Sequence, residues 1–419
     1  MKNSSKVILP NLTPHKELLD NGVKLYWFPN DDMPLVKMEF LFSKAGTIYQ
    51  DKLLSSVAAN YLLTEGTNKF SAKQIAEHID YYGVFVDKSV EKEVSSICFY
   101  FQKKYKDELF DYFSQIILSP TFEEREKEIY MQRLEKQHYI NMEKTEYIAR
   151  VVFNSLLFGD GNPYGKYAIT NDYSSLKRDD IINFYNKFYL PSNCSIILSG
   201  GIDEEIISLV KKSFSLKTWK ESKIEASIKG IDYPENKRKE RVLELDNKVQ
   251  ASIVMGCLTA NIHNEDFISL DVLNCLLGGY FGSRLMKNVR EDKGYTYGIS
   301  SSLYSYKDVG VFLIASSLKK KSISNALKEI YKEIEILKTE PVREEELFRV
   351  KRYMEGDLLR SLDGSFDISD RFRFLLKHNL PLDYYDRYLE KINLITEKDI
   401  LFVANKYLDK EKMIEIVAK

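Results

Sequence analysis

The sequence predicts an α+β protein of two similar domains, each with a mixed, mainly antiparallel sheet covered by helices. Runs rich in β-branched and aromatic residues alternate along the chain with long helical patterns. Landmarks of the first half return in the same order in the second half. The length of 419 residues also exceeds what one ordinary hydrophobic core organises, which favours at least two domains.

The strands are predicted from partial alternation of apolar and polar side chains. They are Val23–Phe28, Val36–Phe42, Ser95–Phe101 and Cys194–Ser199, then Ala251–Gly256, Tyr297–Leu303 and Val311–Ala315. The clearest helical patterns run over Lys106–Leu118, from Glu124 to about Tyr147, and over Ile323–Leu337. Strands paired within each half and covered by such helices give the α+β class.

Three pairs of segments indicate an internal duplication. They are LLTEGTNKFSAKQIAEHIDYYG (62–83) with LLGGYFGSRLMKNVREDKGYTYG (276–298), PTFEERE with PVREEEL, and DDIINFYNKFYLPSNCSIILSG (179–200) with EKDILFVANKYLDKEKMIEIVA (397–418). The predicted domains are 1–216 and 242–419, and the Lys-, Glu- and Ser-rich range 217–241 is the predicted linker. Two alternatives are that α+β chains reuse helix starts and turns, and that 217–241 is a surface excursion within one domain.

Composition excludes several classes of protein. Lys plus Arg is 61 and Asp plus Glu is 62, so the basic excess of a nucleic-acid binder is missing, and nothing favours a membrane-surface protein. The four cysteines form no CxxC pair and are predicted to be buried thiols. We see no signal-peptide pattern and no apolar run long enough for a transmembrane helix, so we expect a cytoplasmic protein.

Motifs of common catalytic sites are missing from the sequence. The five histidines are widely separated, so no local pair of zinc ligands is available. Neither a G-x-S-x-G elbow nor a phosphate-binding loop occurs. Gly278, Gly279 and Gly282 follow a helical pattern and not a strand, so we expect them to form a tight turn between helices.

The run SRLMKNVREDKGYTYGIS (283–300) is the strongest remaining candidate. A helix with Arg290 in its last turn should end at Gly294 in the left-handed conformation. The following alternation predicts a strand that places Tyr295, Tyr297 and Ile299 on one face.

Arg290 and Tyr297 could therefore come together as two donors for a substrate carbonyl or the oxyanion that develops on it. The alternative is that Arg290 pairs with Glu291 or Asp292, while Tyr297 is an ordinary packed residue of the strand.

This same run resembles the M16 metallopeptidase family, which includes pitrilysin-like, insulinase-like and mitochondrial processing peptidase-like proteins. The family has an Arg and a Tyr at the spacing of Arg290 and Tyr297, where they contact substrate near the scissile bond. LLTEGTNKFSAKQIAEHIDYYG, SPTFEERE, LLFGDGNPYGKYAITN and FYNKFYLPSNCSIILSGGID also stand in the order that the family uses. The resemblance implies LuxS/MPP-like domains that together form one half of a clamshell.

The sequence departs from the family at its zinc motif. Active members have H-x-x-E-H before a Gly-Thr pair, and those three positions are here Val57, Asn60 and Tyr61. The family's third ligand, a glutamate, would fall within Met131–Gln137, where Glu135 lies. Valine cannot bind zinc, asparagine cannot act as a general base, and neutral tyrosine is a poor ligand. We therefore expect no metal in this chain.

Some M16 enzymes divide the active site between two subunits, and this chain has the pattern of the zinc-free one. The resemblance implies a homologous partner with H-x-x-E-H and zinc, and a peptide substrate held by Arg290 and Tyr297. A homodimer is possible when that partner is missing. Two alternatives remain open: a purely structural or peptide-holding protein like the bc1 core proteins, and an active enzyme with a relocated metal site.

Overall fold

The computed structural model describes residues 9–159, 161–216, 219, 233–234, 237–245 and 250–419. The strands are β1 His15–Leu18, β2 Lys24–Pro29, β3 Leu35–Phe42, β4 Phe85–Val90, β5 Ser95–Gln102, β6 Cys194–Gly200, β7 Lys239–Leu243, β8 Gln250–Thr259, β9 Thr296–Ser305, β10 Gly310–Lys319 and β11 Ile414–Ala418.

The helices fill the sequence between the strands. They are α1 Ser55–Tyr61, α2 Ala72–Tyr81, α3 Lys106–Leu118, α4 Glu124–Met142, α5 Thr145–Phe158, α6 Thr170–Ser175, α7 Arg178–Phe188, α8 Glu204–Phe214, α9 Phe267–Asn274, α10 Ile323–Thr339, α11 Glu344–Arg360, α12 Ser365–His378, α13 Tyr384–Leu394 and α14 Glu397–Tyr407. Two segments, Cys275–Gly279 and Met286–Asp292, are π-helical.

The strands form two sheets with the same topology. The first is six-stranded in the order β1-β2-β6-β3-β5-β4, and the second is five-stranded in the order β7-β11-β8-β10-β9. Without β1, each sheet places its first and last strands side by side in parallel, and every other pairing is antiparallel. This confirms the predicted α+β class, and the shared strand order supports the interpretation as a duplication.

The chain folds into two compact units that do not follow the sequence halves everywhere. Unit 1 consists of 1–138, 168–230 and 361–382, and unit 2 of 139–167, 231–360 and 383–419. Unit 1 therefore includes α12 from the second half, and unit 2 includes α5 from the first. The predicted domains, 1–216 and 242–419, differ from these units by those two segments. Most of the predicted linker, 217–241, lies outside the described residues.

The helices α5 and α12 each cover a sheet within their own unit. In unit 2, α5 packs on β8 and β11. In unit 1, α12 packs on β2 and β6, where Phe372 makes edge contacts with Tyr26 and Phe28 at centroid distances of 4.9 and 5.3 Å. Apolar residues on alternate strand positions thus have a covering layer on both faces of the first sheet.

Ion pairs fix α12 over the polar side chains of the first sheet. Arg373 bridges Glu39 at 2.7 Å and Glu91 at 2.8 Å, and Lys377 contacts Glu91 at 2.5 Å. The buried ammonium of Lys37 pairs with Asp370. Burial alone would raise the pKa of Glu91, but the charges of Lys377 and Arg373 outweigh it and hold this pKa below its usual range.

One sequence-based expectation about the helices is wrong. The single helix expected from Glu124 to about Tyr147 is divided, because α4 ends at Met142 and α5 begins at Thr145. No proline or glycine marks this break, so the sequence gives no local signal for it. The break separates a helix of which most residues belong to unit 1 from one that belongs to unit 2.

Burial of the cysteines agrees with the sequence-based expectation. All four are free and buried. Burial raises the pKa of the Cys257 and Cys275 thiols, to about 12 in each case, which keeps both protonated at neutral pH. None of the helices in the described part of the chain is long and apolar enough to cross a membrane.

Candidate functional site

The helical turn that carries Arg290 is anchored from three sides in unit 2. Leu285 and Val289 are fully buried. Arg284 forms a two-pronged ion pair with Glu346 of α11, with both nitrogen–oxygen distances at 2.8 Å. The Asn288 amide donates to two glutamates of α10, Glu329 at 3.0 Å and Glu333 at 2.7 Å. The backbone beneath Arg290 is therefore fixed while its own side chain remains partly exposed.

Gly294 ends this helix as predicted. Its φ of +64° is in the left-handed region that favours glycine, and its N–H donates to the Arg290 carbonyl at 3.1 Å. Tyr295 N–H then bonds the Val289 carbonyl at 3.0 Å, which closes the turn into β9. A second glycine, Gly278, permits a close backbone approach, because a Cβ there would lie 2.6 Å from the Ser301 nitrogen.

Tyr297 is the extra residue of a β-bulge. Thr296 pairs with Leu318 and Gly298 pairs with Ser317, so Tyr297 has no partner on β10. The Thr296 hydroxyl donates to the Ser317 carbonyl at 2.6 Å and accepts from the Gly298 N–H at 3.0 Å, which holds the bulge in place. A bulge redirects the side chain of the inserted residue.

The bulge overturns the expectation that Tyr295, Tyr297 and Ile299 share one face. Tyr297 is 83% exposed, whereas Ile299 is buried, because the extra residue breaks the two-residue period between them. The Tyr297 hydroxyl is consequently presented to solvent. It forms no hydrogen bond with any described residue.

Arg290 lies over an aromatic ring. Its guanidinium carbon is 4.9 Å from the centroid of Phe281, whose side chain is 64% exposed. Across the described residues, no ion pair joins Arg290 to Glu291 or Asp292, and no hydrogen bond joins it to Tyr297. The alternative role as a helix-end cation paired with these acids thus receives no support. Sequence reasoning missed Phe281, and the weak signal that could have indicated it is an aromatic residue within a glycine-rich turn.

The three predicted zinc-motif positions lie in unit 1, on α1. Val57 packs against the hydrophobic core of the unit. Asn60 is fully buried, and its amide donates to the Ser96 carbonyl at 3.2 Å and to the Tyr189 hydroxyl at 3.0 Å. Both side chains are therefore structural parts of the unit 1 core.

Tyr61, the third motif position, belongs to a stack of rings and cations. Its ring stacks on Tyr130 of α4 at a centroid distance of 5.8 Å. The ammonium of Lys88 lies 5.5 Å from the Tyr61 centroid, and the guanidinium of Arg133 lies 5.1 Å from the Tyr130 centroid. Two cations thus flank a pair of tyrosines at this position.

The ammonium of Lys88 is held by oxygen atoms next to the motif. It donates to the Tyr61 carbonyl and to the Thr64 hydroxyl, each at 2.8 Å, and Glu65 lies 4.0 Å away. Burial lowers the pKa of Lys88, the Glu65 carboxylate raises it in part, and Arg133 lowers it further. The sequence did not indicate Lys88, because it stands on a polar edge strand that the alternation did not reveal.

These residues do not fit a zinc ion. The three motif positions hold the apolar side chain of Val57, the hydrogen-bonded amide of Asn60 and the stacked ring of Tyr61. The ammonium of Lys88 lies beside them. Glu135 is partly buried on α4 without a second ligand. Throughout the described ranges, no cluster of three or more His, Cys, Asp or Glu side chains could hold a metal ion.

Comparison with known proteins finds similarity to M16-type proteins. The protein-family model described as "Peptidase M16 inactive domain" matches residues 175–354. A Bacillus subtilis protein named "Uncharacterized zinc protease YmxG" is 25% identical over 340 residues, which cover 80% of this chain and 81% of that protein. A Helicobacter pylori protein named "Non-peptidase homolog YmxG" is 22% identical over 401 residues, which cover 92% of this chain and 89% of that protein.

The fold agrees with solved structures over nearly the whole chain. A crystal structure described as a peptidase M16 inactive domain from Pseudomonas fluorescens has a TM-score of 0.86 and 21% identity, and the match covers 97% of each chain. At this identity the likeness establishes the fold. The chain therefore has the fold of the M16 inactive-domain structures over nearly its whole length, and its residues 175–354 match the peptidase M16 inactive-domain family.

Proposed function

We propose that this chain is the zinc-free subunit of a heterodimeric M16-type peptidase, in which Arg290 and Tyr297 bind the peptide substrate. One observation carries the proposal. A bulge presents Tyr297 to solvent close in sequence to Arg290, which forms no ion pair with any described acid, while the zinc-motif positions are committed to packing. The donors suited to substrate are thus available, and the metal site is not.

The chemistry of the two side chains suits an extended peptide. The guanidinium of Arg290 remains charged at any physiological pH and supplies several N–H donors. The Tyr297 phenol adds a neutral donor. Two such donors directed at the scissile carbonyl would polarise it and stabilise the oxyanion that forms when a nucleophile attacks. A homologous partner with H-x-x-E-H would supply the zinc and the attacking water.

Reconstitution with such a partner tests the proposal. The purified chain is mixed with an H-x-x-E-H homologue from the same organism, and cleavage of an internally quenched peptide is followed. We expect the chain alone to cleave nothing and the mixture to be active. Arg290→Ala and Tyr297→Phe should each lower kcat/KM by about 100-fold, because removal of one oxyanion donor costs that much.

Matched controls separate this role from general damage. Lys287→Ala removes a cation from the same helical segment, and Tyr304→Phe removes a hydroxyl from the same strand. Both side chains are exposed, and neither change should alter kcat/KM by more than about twofold. Full activity of the pair with Arg290→Ala and Tyr297→Phe combined would disprove the substrate role. A stable complex that never hydrolyses a peptide would favour the structural alternative.

A further inference from the structure

We propose that a groove in unit 2 is a second binding site, which takes an extended acidic segment of a partner protein. The groove has a volume of about 830 Å³ and lies between the outer strand β7 and the helix α10. It contains neither Arg290 nor Tyr297, so the inference does not depend on the peptidase proposal.

The rim of the groove is strongly basic in a chain that is almost neutral overall. Six cations line it against two acids, while the whole chain has a net charge of −1. The basic residues are Arg238, Lys320, Lys321, Lys328, Lys410 and Lys419, and the acids are Glu244 and Glu415. Such segregation of charge favours an acidic ligand.

Internal partners neutralise only some of these charges. Lys419 pairs with Glu244 at 3.1 Å. Lys320, Lys321 and Lys328 form no ion pair with any acid in the described ranges. Three ammonium groups at the start of α10 therefore remain available to carboxylates from outside the chain.

A single tyrosine organises the end of the groove near β11. Tyr331 donates a hydrogen bond to Glu415 at 2.7 Å, while the cationic groups of Arg238 and Lys410 lie 5.7 and 5.0 Å from its ring centroid. These contacts place both cations against the ring and cover it, and Arg238 is also neutralised by an ion pair with Glu240, whereas Lys410 forms no ion pair with any described acid. Stacking of a nucleotide base on Tyr331 is therefore disfavoured relative to binding of a peptide.

The floor of the groove is apolar and adjoins a sheet edge that no described strand occupies. Val242, which is 55% exposed, lies there with Leu327 and the buried Val417. β7 is the outermost strand of its sheet and pairs only with β11 among the described strands. Its other edge offers backbone groups to which an incoming strand can bond.

The alternation of β7 defines the pattern of the ligand. Arg238, Val242 and Glu244 face the groove, whereas Lys239 turns away and donates to the Leu156 carbonyl on α5. A strand added to β7 would likewise direct every second residue into the groove. We infer a segment in which acidic residues meet the lysines and apolar residues meet Val242 and Leu327.

Fluorescence anisotropy with the full chain and a labelled peptide of alternating Glu and Val tests the inference. We expect saturable binding that weakens with added salt. Lys321→Glu combined with Lys328→Glu should raise Kd by more than about tenfold, because it places like charges beside the ligand. The matched control, Lys391→Glu with Lys398→Glu, makes the same charge change at exposed sites outside the groove and should alter Kd by less than about twofold.

Two further ligands test whether the groove recognises the alternating pattern of a peptide or binds any negatively charged ligand. A peptide of the same composition with its glutamates grouped together should bind more weakly, and a single-stranded oligonucleotide should not displace the alternating peptide. Absence of saturable binding would overturn the proposal. The proposal would also be overturned if the control variant lost as much affinity as the groove variant. The same holds if the oligonucleotide bound as tightly as the alternating peptide and the groove variant abolished that binding.

Discussion

Asn60, which the sequence predicts to occupy the position of the general-base glutamate of active M16 members, has its side chain in the core of unit 1. Its amide joins α1 to β5 through Ser96 and to the end of α7 through Tyr189. Since the residue is fully buried, its neighbours would lose these bonds without gaining water. At the scale of the residue, Asn60 therefore has a structural role in the core of unit 1.

Replacement of this amide should therefore reduce stability. Asn60→Ala leaves a buried carbonyl and a buried phenol without their donor, and we expect the free energy of unfolding to fall by about 1–3 kcal/mol. Urea denaturation monitored by circular dichroism measures the change. The exposed Asn68→Ala serves as the control and should lie within about 0.5 kcal/mol of the parent. An equal effect of the two substitutions would contradict the assigned role of Asn60.

At the scale of the element, α12 depends on charge as well as on apolar contact. Phe372 packs against the aromatic residues of β2, while Arg373 and Lys377 bind Glu39 and Glu91. An attachment that uses ion pairs is sensitive to the protonation of its carboxylates. This sensitivity distinguishes α12 from α7, whose buried residues Ile181, Phe184 and Phe188 are all apolar.

Acid should weaken the attachment of α12. The pKa of Glu91 is lower in the folded chain than in the unfolded chain. Its contribution is therefore present above the unfolded value of about 4.3 and is lost as the pH falls through the folded value. Hydrogen-exchange protection of α12 amides should fall across this window, while α7 amides serve as the internal control. In Glu91→Gln the step should be reduced; an unchanged step would assign it to other groups.

At the scale of the whole molecule, each unit is assembled from both halves of the sequence. Unit 1 needs α12 to cover a face of its sheet that includes Phe28, Leu41 and Ile197. Unit 2 needs α5 over β8 and β11 in the same way. A cut between the halves therefore removes a covering helix from each sheet.

Separate expression of the two halves tests this dependence. Residues 1–230 and 231–419 should each bind a dye specific for exposed apolar surface and should aggregate on a sizing column, because one sheet face is bare. Co-expression should restore a soluble complex of both fragments with little dye binding. A monomeric fragment 1–230 that unfolds cooperatively and binds no dye would refute the argument.

The sequence predicted the strands and the fold class better than it predicted which helix covers which sheet. β2, β3, β5 and β6 were predictable because their side chains alternate or are wholly apolar, and these patterns are local. β4 was not predictable, since Asp87, Lys88 and Ser89 give an edge strand the composition of a loop. The exchange of α5 and α12 has no local signal at all, because it depends on which sheet offers a matching surface.

The candidate site was predictable only in part. The end of the helix at Gly294 was predictable, because glycine favours the left-handed conformation found there. The exposure of Tyr297 was not, because it results from a bulge in the pairing of β9 with β10. Sequence alternation assumes a regular ladder, so it placed Tyr297 with Ile299. The stack of Lys88, Tyr61, Tyr130 and Arg133 joins three distant segments, so the sequence contains no local pattern that predicts it.

The bulge at Tyr297 has a consequence best stated in terms of insertion and deletion. Since Thr296 and Gly298 already pair with neighbouring residues of β10, loss of the single codon for Tyr297 would leave an uninterrupted ladder. The sheet would be more regular without this residue than with it. We therefore expect the fold of unit 2 to tolerate deletion of Tyr297, whose exposed side chain is presented to contacts outside the chain.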